Sequence, residues 1–258
     1  MLLVHKVAIV TGGGTGIGKA IAVNLAKNGA RVAIASRNPR QIEAAKTDFD
    51  KLGLSVLAVP MDLRKKEEIQ RAVAEVADKW GAVHILVNNA GISWLSRIDD
   101  PDDGKWFDIL DTNLSGMYLV TKEVLQHIKD HSGGRIINIS SVLGKIGVPG
   151  YSAYCTTKHG TIGFTRALAL ELVERGITVN TVCPGWVDTE MARQGIDEAA
   201  ARQGITPEQF KEQAVAGVPI KRFLEPDEVA ELVCYLASDL AKGITGQAIN
   251  ICGGQTML

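Results

Sequence analysis

A tyrosine and a lysine four residues apart are the first side chains in this sequence that could do chemistry. They are Tyr154 and Lys158, and this spacing places two side chains on one face of a helix. A free tyrosine hydroxyl titrates near pH ~10, so acid/base work at neutral pH requires a nearby cation to stabilise the phenolate. The pair therefore predicts acid/base chemistry, although such a pair alone also occurs on ordinary amphipathic helices.

Ser141 gives this pair its context. It closes the apolar run 135–140, which follows two glycines and is typical of a buried strand. In open α/β sheets, ligands bind at the carboxyl ends of the strands. We therefore expect Ser141 to lie at a ligand-binding edge.

Composition limits the kinds of function that are possible. The chain has 258 residues, 46% of them hydrophobic, with a net charge of -1, which predicts a globular protein with a large core. The balanced charge gives no case for nucleic acid, and no apolar run approaches the ~20 residues of a membrane helix. Scattered cysteines predict a cytoplasmic setting and no disulfide framework, and His127 and His131 lack a third ligand, so no metal is expected.

A glycine-rich turn near the start of the chain predicts a nucleotide site. The apolar run 6–11 precedes the glycines, and helical periodicity follows over 19–28. Such a turn lets backbone N–H groups and the positive helix end approach a pyrophosphate. The spacing is Gly-x-x-x-Gly-x-Gly rather than G-x-G-x-x-G. The residues predicted to contact the cofactor here are Gly12, Thr15, Gly16, Ile17 and Gly18.

The end of the second predicted strand bears on which cofactor binds. This strand, 31–35, ends in Ser36 and Arg37, where an NAD site normally carries a carboxylate. The first acidic residue of the chain is Glu43, whereas several lysines and arginines precede it. A cationic site suits the 2′-phosphate of NADP, so NADP(H) is favoured over NAD(H). The alternative is that Arg37 is simply solvated.

Other strand ends also carry candidate ligand contacts. The third strand, 55–59, leads to Asp62 and Leu63, and Asp62 could face an adenine. The fourth, 85–87, runs into a stretch of amides and small residues that permits close backbone contact. The sixth, 177–183, is again followed by a loop at the ligand edge. The contacts predicted at the fourth and sixth strand ends include Asn89, Ala90, Gly91, Pro184 and Gly185.

The segment 188–218 is a long polar excursion before the last predicted helix, 226 onward. It has one clear helix start at Thr206, with Pro207 in the first position and Gln209 completing a capping box. Long insertions of this kind often form lids. The sequence shows no internal repeat and no linker. We therefore predict one dinucleotide-binding domain over 1–258 with a substrate lid at about 188–218.

Taken together, these motifs resemble the single-domain branch of the short-chain dehydrogenase/reductase family over nearly the whole chain. Within it, the segments around Tyr154 and Pro184 look most like polyketide ketoreductases and 3-oxoacyl-thioester reductases. His84 stands where the family commonly has Asp, which bears on a local structural contact. The matching residues are Thr11, Gly12, Gly16, Gly18, the run 88–91, Asn113, Ser141, Tyr154, Lys158, Pro184 and Gly185.

The resemblance implies a fold and an assembly. The expected fold is a doubly wound, Rossmann-like parallel sheet of seven strands, with helices on both faces. Members of the family usually assemble as homotetramers.

The resemblance also implies a mechanism, namely hydride transfer between a nicotinamide and a carbonyl. Tyr154 would be the general acid, Lys158 would lower the tyrosine pKa and bind the nicotinamide ribose, and Ser141 would polarise the carbonyl. Asn113 would hold a water that links Lys158 to solvent, and the Val187 backbone and Thr189 would grip the carboxamide. The family spacing selects Ser141 over Ser140, and Tyr151 lacks a lysine four residues on.

Three functions remain open at this stage. The first is an NADPH-dependent reductase of a 3-oxoacyl thioester or related ketone. The second is an NAD-dependent dehydrogenase of a secondary alcohol or polyol. The third is a nucleotide-binding protein without turnover, against which the intact set of Asn113, Ser141, Tyr154 and Lys158 argues.

Overall fold

A single parallel sheet of seven strands organises the molecule. The structure is a computed structural model that describes all residues 1–258. The strand order is β3-β2-β1-β4-β5-β6-β7, and every neighbouring pair is parallel. This confirms the predicted doubly wound sheet. The strands are β1 Val7–Thr11, β2 Arg31–Ser36, β3 Val56–Pro60, β4 Ile85–Asn88, β5 Arg135–Ile139, β6 Thr178–Pro184 and β7 Ala248–Ile251.

Nine α-helices cover the two faces of this sheet or extend beyond it. A five-residue π-helical turn, 111–115, separates the fourth helix from the fifth. The helices are α1 Gly16–Lys27, α2 Pro39–Lys51, α3 Lys66–Trp80, α4 Gly104–Leu110, α5 Gly116–Val124, α6 Ser152–Leu172, α7 Glu190–Gln203, α8 Pro207–Ala216 and α9 Pro226–Ala237. No helix is both long enough and apolar enough to cross a bilayer.

The side chains of each strand alternate between two separate cores. In β1, Ala8 and Val10 pack with α1, α2 and α9 on one face, while Val7 and Ile9 pack with α3, α5 and α6 on the other. A strand buried on both faces must be apolar at every position, as in parallel sheets. This is why the sequence shows continuous apolar runs here rather than alternating ones.

The segment 188–218 contains two helices, one more than the helix start found in the sequence. The predicted capping box is present at α8, where Thr206 and Gln209 exchange hydrogen bonds and Pro207 is the first helical residue. The helix that was missed, α7, begins where the Thr189 hydroxyl accepts a hydrogen bond from Ala192 N at 3.2 Å. Its polar sequence lacks the apolar periodicity on which the prediction depended.

The strand order reverses between β1 and β4, and the loops that follow these strands diverge there to leave a crevice. His84, just before β4, supports this junction, because its ring Nδ1 accepts a hydrogen bond from Val7 N at 3.2 Å. Burial lowers the pKa of His84, which favours the neutral ring that such a bond needs. The unusual histidine therefore makes a structural contact, as its position suggested.

Candidate active site

The glycine turn between β1 and α1 forms a backbone cradle at the crevice. Gly12 and Gly16 have φ values of 65° and 50°, a region that suits glycine. A Cβ on Gly12 would lie 2.9 Å from Asn89 Nδ2, and one on Gly18 would overlap the Gly12 carbonyl oxygen. The turn can therefore be this tight only without side chains.

The start of α1 has the features of an anion site. Thr15 is its N-cap but makes no side-chain capping bond, and the first turn has no acidic residue. Thr15 and Gly16 are exposed. The N–H groups at a helix start attract negative charge, so this end of α1 fits the pyrophosphate of a dinucleotide.

Thr11 joins the ends of β1 and β4 beside this cradle. Its hydroxyl accepts hydrogen bonds from Asn89 N and Ala90 N, each at 3.0 Å, while Asn89 Nδ2 donates to Thr11 O at 3.0 Å. The neighbouring Asn88 faces the sheet, where its amide donates to Asn138 Oδ1 at 2.8 Å and Thr121 Oγ1 at 2.9 Å. The Asn88 side chain therefore ties β4 to β5 and to α5.

Asp62 lies at the end of β3 in an ion pair that the sequence analysis missed. The Arg64 guanidinium donates to its carboxylate at 2.9 Å and 3.1 Å, and Arg64 N donates at 3.0 Å. Arg64 lowers the pKa of Asp62 to about 2, with a smaller contribution from Arg37. Asp62 is therefore a fixed carboxylate, and the Asp-x-Arg spacing was the available signal.

Ser36 and Arg37 lie at the end of β2, next to this carboxylate. Met61 N donates to Ser36 O at 3.0 Å, which joins the two strand ends, and Leu63 is buried beyond them. The Ser36 hydroxyl accepts a hydrogen bond from Asn38 N at 3.2 Å, whereas Arg37 is exposed and makes no ion pair within the chain. Arg37 is thus free to meet an anion at this edge.

Ser141, Tyr154 and Lys158 come together where β5 ends against the start of α6. The Ser141 hydroxyl accepts a hydrogen bond from Leu143 N at 3.1 Å, and Ser141 lies near enough to Tyr154 to act on the pKa of the tyrosine. Lys158 Nζ lies 5.3 Å from the centroid of the Tyr154 ring and donates to Ile139 O at 2.9 Å. The predicted serine, tyrosine and lysine are therefore one cluster.

Burial dominates the ionisation of this cluster. It raises the pKa of Tyr154 to about 12, against which the hydrogen bond with Ser141 acts. It also lowers the pKa of Lys158 to about 8. In this arrangement the Lys158 ammonium bonds Ile139 O and lies over the Tyr154 ring. The lowering of the tyrosine pKa by Lys158 stays a prediction.

Asn113 lies in the π-helical turn between α4 and α5 and contacts the loop after β4. Its Oδ1 accepts from Ile92 N and its Nδ2 donates to Ile92 O, both at 2.8 Å. The position of a Cβ on Gly91 would be 3.2 Å from Asn113 Oδ1 and 3.7 Å from Lys158 Nζ. Gly91 therefore lets this loop lie between the amide and the ammonium.

The loop after β6 closes the crevice on the other side. Gly185 has no room for a side chain, since its Cβ would lie 2.9 Å from Cys252 Cβ. Pro184 and Val187 are buried. Thr189 lies beside the glycine turn, with its Cγ2 3.3 Å from where a Cβ on Gly16 would be. The cofactor residues predicted at separate strand ends thus surround one crevice.

The two tryptophans near the crevice have different surroundings. Trp186 stacks on Phe223, with ring centroids 5.2 Å apart, and meets Phe210 of α8 edge to face. Trp94 instead lines an open cavity of about 770 Å³ between the loop after β4 and Glu198 of α7. Ser141 and Tyr154 are not part of its lining. Trp94 is the better candidate for a pocket wall.

A doubly wound sheet with a dinucleotide cradle facing a tyrosine and lysine defines an NAD(P)-dependent oxidoreductase acting on carbonyl or CH–OH groups. Residues 6–200 match the family model described as short chain dehydrogenase. The chain belongs to the short-chain dehydrogenase family.

Named relatives cover nearly the full length of the chain. It is 40% identical over 251 residues to a putative ketoacyl reductase of Streptomyces coelicolor, covering 96% of each chain. It is also 40% identical over 256 residues to a D-beta-hydroxybutyrate dehydrogenase of Rhizobium meliloti, covering 97% of this chain and 98% of the relative. A crystal structure of an actinorhodin polyketide ketoreductase variant with NADPH superposes with a TM-score of 0.92, at 40% identity and 97% coverage of both chains.

Proposed function

We propose that this protein is an NADPH-dependent reductase of the ketone in a 3-oxoacyl thioester or a closely related carbonyl. The observation that carries the proposal is the cluster of Ser141, Tyr154 and Lys158, in which Ser141 favours the Tyr154 phenolate and the Lys158 ammonium lies over the tyrosine ring. The similarity to a ketoacyl reductase and to a ketoreductase with NADPH supports the substrate and the cofactor.

Tyr154 is the general acid in this proposal, since its raised pKa keeps the proton on the hydroxyl until the carbonyl oxygen takes it. Ser141 donates a hydrogen bond to the same oxygen and orients it. The Lys158 ammonium stabilises the phenolate that forms, binds the nicotinamide ribose and, through a water held by Asn113, connects to solvent. The nicotinamide supplies the hydride.

The residues that would hold the cofactor line the crevice from the end of β2 to the loop after β6. The glycine turn holds the pyrophosphate, Asp62 and Leu63 border the adenine, and Ser36 and Arg37 hold the 2′-phosphate. The loop 89–91 and the tyrosine and lysine contact the nicotinamide ribose. The carboxamide meets the residues after β6, namely Pro184, Gly185, Val187 and Thr189.

The chain forms a single domain, 1–258, and its segment 188–218, which contains α7 and α8, acts as the substrate lid. Substrate enters beside these two helices. Glu198 of α7 and Trp94 line the same open cavity, so movement of α7 would change the width of that cavity. The side chains that line this pocket determine which substrate binds. They lie on loops outside the family motifs, so the motifs say least about them.

A panel of ketones tests the substrate. We expect NADPH consumption to be most efficient with a 3-oxoacyl thioester of N-acetylcysteamine, compared with simple cyclic ketones, and to exceed the rate at which polyols form NADPH from NADP⁺. The second candidate, oxidation of a secondary alcohol with NAD⁺, is favoured by the similarity to a D-beta-hydroxybutyrate dehydrogenase. Higher kcat/KM for 3-hydroxybutyrate with NAD⁺ than for any ketone with NADPH would establish that candidate instead.

Arg37→Asp should reverse the cofactor preference. Charge-assisted hydrogen bonds contribute about 1.5–3 kcal/mol, so losing the phosphate contact costs roughly tenfold to a hundredfold in NADPH affinity. The new carboxylate repels the phosphate and can bond the free ribose hydroxyls of NADH. Steady-state kinetics with both cofactors measure the change.

Arg31→Asp is the matched control, because Arg31 is an exposed arginine at the opposite end of the same strand. It makes the same change in charge and should leave the preference as it is. Equal or better efficiency with NADH in the unmodified protein would mean that Arg37 is only solvated.

Alkaline pH should slow the reduction. Burial lowers the pKa of Lys158 to about 8, so the ammonium is present below that pH and is lost above it. We expect kcat/KM to fall as pH rises through about 8, approaching tenfold per unit. The Lys158→Arg variant stays charged, so its kcat/KM should not fall in this pH range, whatever the absolute rate. If kcat/KM of the unmodified protein stayed constant up to about pH 9.5, the role of the ammonium would be contradicted.

A homotetramer is the proposed assembly. Exposed apolar side chains lie on α5, on α6 and in the turn just after α6: Tyr118, Leu170 and Val173 are 46%, 80% and 52% accessible. They are surfaces that an interface would cover. Light scattering should give about four chains per particle, in keeping with closed symmetry. A stable monomer at micromolar concentration would refute this assembly.

A further inference from the structure

Ser140, next to the proposed catalytic serine, makes a contact that the mechanism above does not use. It is 3% exposed, and its hydroxyl donates to the main-chain oxygen of Lys158 at 2.9 Å. Its own N–H donates to Val182 O at 2.8 Å, which fixes it to β6. Lys158 is therefore held twice by the end of β5, since its Nζ donates to Ile139 O at 2.9 Å.

The direction of the bond between Ser140 and Lys158 is fixed, because a main-chain oxygen can only accept and the Ser140 hydroxyl must donate. This bond therefore joins the end of β5 to α6.

Gly144 shows how little space surrounds this bond. A Cβ at Gly144 would lie 2.5 Å from Ser140 Oγ and 2.7 Å from Lys158 O. Gly144 closes the short 3₁₀ turn Val142–Gly144, which Ser141 begins by accepting from Leu143 N. The turn that orients Ser141 therefore packs directly on the bond between Ser140 and Lys158.

The carbonyl of Lys158 does not need this bond for its own sake. Lys158 is in the body of α6, where its oxygen has a partner in the helix ladder. The bond from Ser140, as a second donor to this oxygen, instead fixes the position of one turn of α6. That turn carries Tyr154 and Lys158, and the bond holds it against the strand end that carries Ser141. We propose that Ser140 is a positioning residue that keeps Tyr154 and Lys158 in register with Ser141. This inference rests on the proposed roles of those three residues.

Ser140→Ala should lower kcat by about three- to tenfold, the equivalent of one net hydrogen bond, with the KM of the ketone unchanged. Gly144→Ala should produce the same split between kcat and KM, because its methyl group separates Ser140 from Lys158 without removing the hydroxyl. Thr161→Val is the matched control. Its buried hydroxyl also bonds a helix carbonyl, that of Thr157 at 2.9 Å, but only within α6.

Unchanged kcat in Ser140→Ala, or an equal loss in Thr161→Val, would overturn the inference, since the effect would then be absent or a general weakening of α6. If Ser140→Ala does not fold, Gly144→Ala decides in the same way. Tyr154→Phe is measured alongside on the same ketone. If it is inactive while Ser140→Ala is fully active, only the positioning role fails, whereas retained turnover in Tyr154→Phe means that the proposed function fails.

Discussion

Tyr154→Phe should lose nearly all turnover and keep its cofactor affinity. The substitution removes the hydroxyl and leaves the ring under Lys158 Nζ. General acid catalysis contributes roughly 10²–10⁴-fold, so kcat should fall by about that factor. Single-turnover kinetics measure the loss, and a calorimetric titration with NADPH measures the retained binding.

Tyr151→Phe is the control for this experiment. Tyr151 lies just before α6 and also carries a half-buried hydroxyl, but it has no lysine one turn further on. Its variant should keep turnover within about threefold. If Tyr154→Phe turned over as fast as the unmodified protein, the acid would have to be another group.

Lys158→Ala should reduce both turnover and cofactor affinity. Lys158 is 6% exposed, and the same ammonium is proposed to stabilise the phenolate and to bind the nicotinamide ribose. We expect kcat to fall by roughly 10²-fold or more, and the Kd for NADPH to rise by about tenfold, the value of one charge-assisted bond. Stopped-flow turnover and the same titration give the two values separately.

Lys158→Met separates charge from packing, because it fills most of the same volume. It should resemble Lys158→Ala in both measurements. If Lys158→Met recovered most of the rate, the lysine would be acting through packing, and the proposed stabilisation of the phenolate would be wrong.

The elements and their order could be predicted from sequence because local patterns determine them. The apolar run before Gly12, the glycine spacing and the helix periodicity after it fix a strand, a turn and a helix within a few residues. Once the strands are parallel, their carboxyl ends must share an edge, so Ser141, Asn89 and Gly185 could be placed together without coordinates.

The missed features depend on contacts between residues far apart in the chain or on weak local signals. The hydrogen bonds of Asn113 to Ile92 and of Ser140 to Lys158 join separate elements. A mostly polar helix such as α7 has only a short apolar stripe, formed by Ile196, Ala199 and Ala200. The pKa of Tyr154 depends on how deeply the cluster is buried, which the spacing between Tyr154 and Lys158 does not encode.

Transfer of label from NADPH to the product tests the central claim most directly. NADPH that carries deuterium at the transferred position is incubated with the enzyme and a 3-oxoacyl thioester of N-acetylcysteamine, and the product is analysed by mass spectrometry. We predict a 3-hydroxyacyl thioester with a single deuterium on its carbinol carbon, formed by Tyr154→Phe at a rate lower by roughly 10²–10⁴-fold. An unlabelled hydroxy product, or label transfer at full rate without the Tyr154 hydroxyl, would contradict the account.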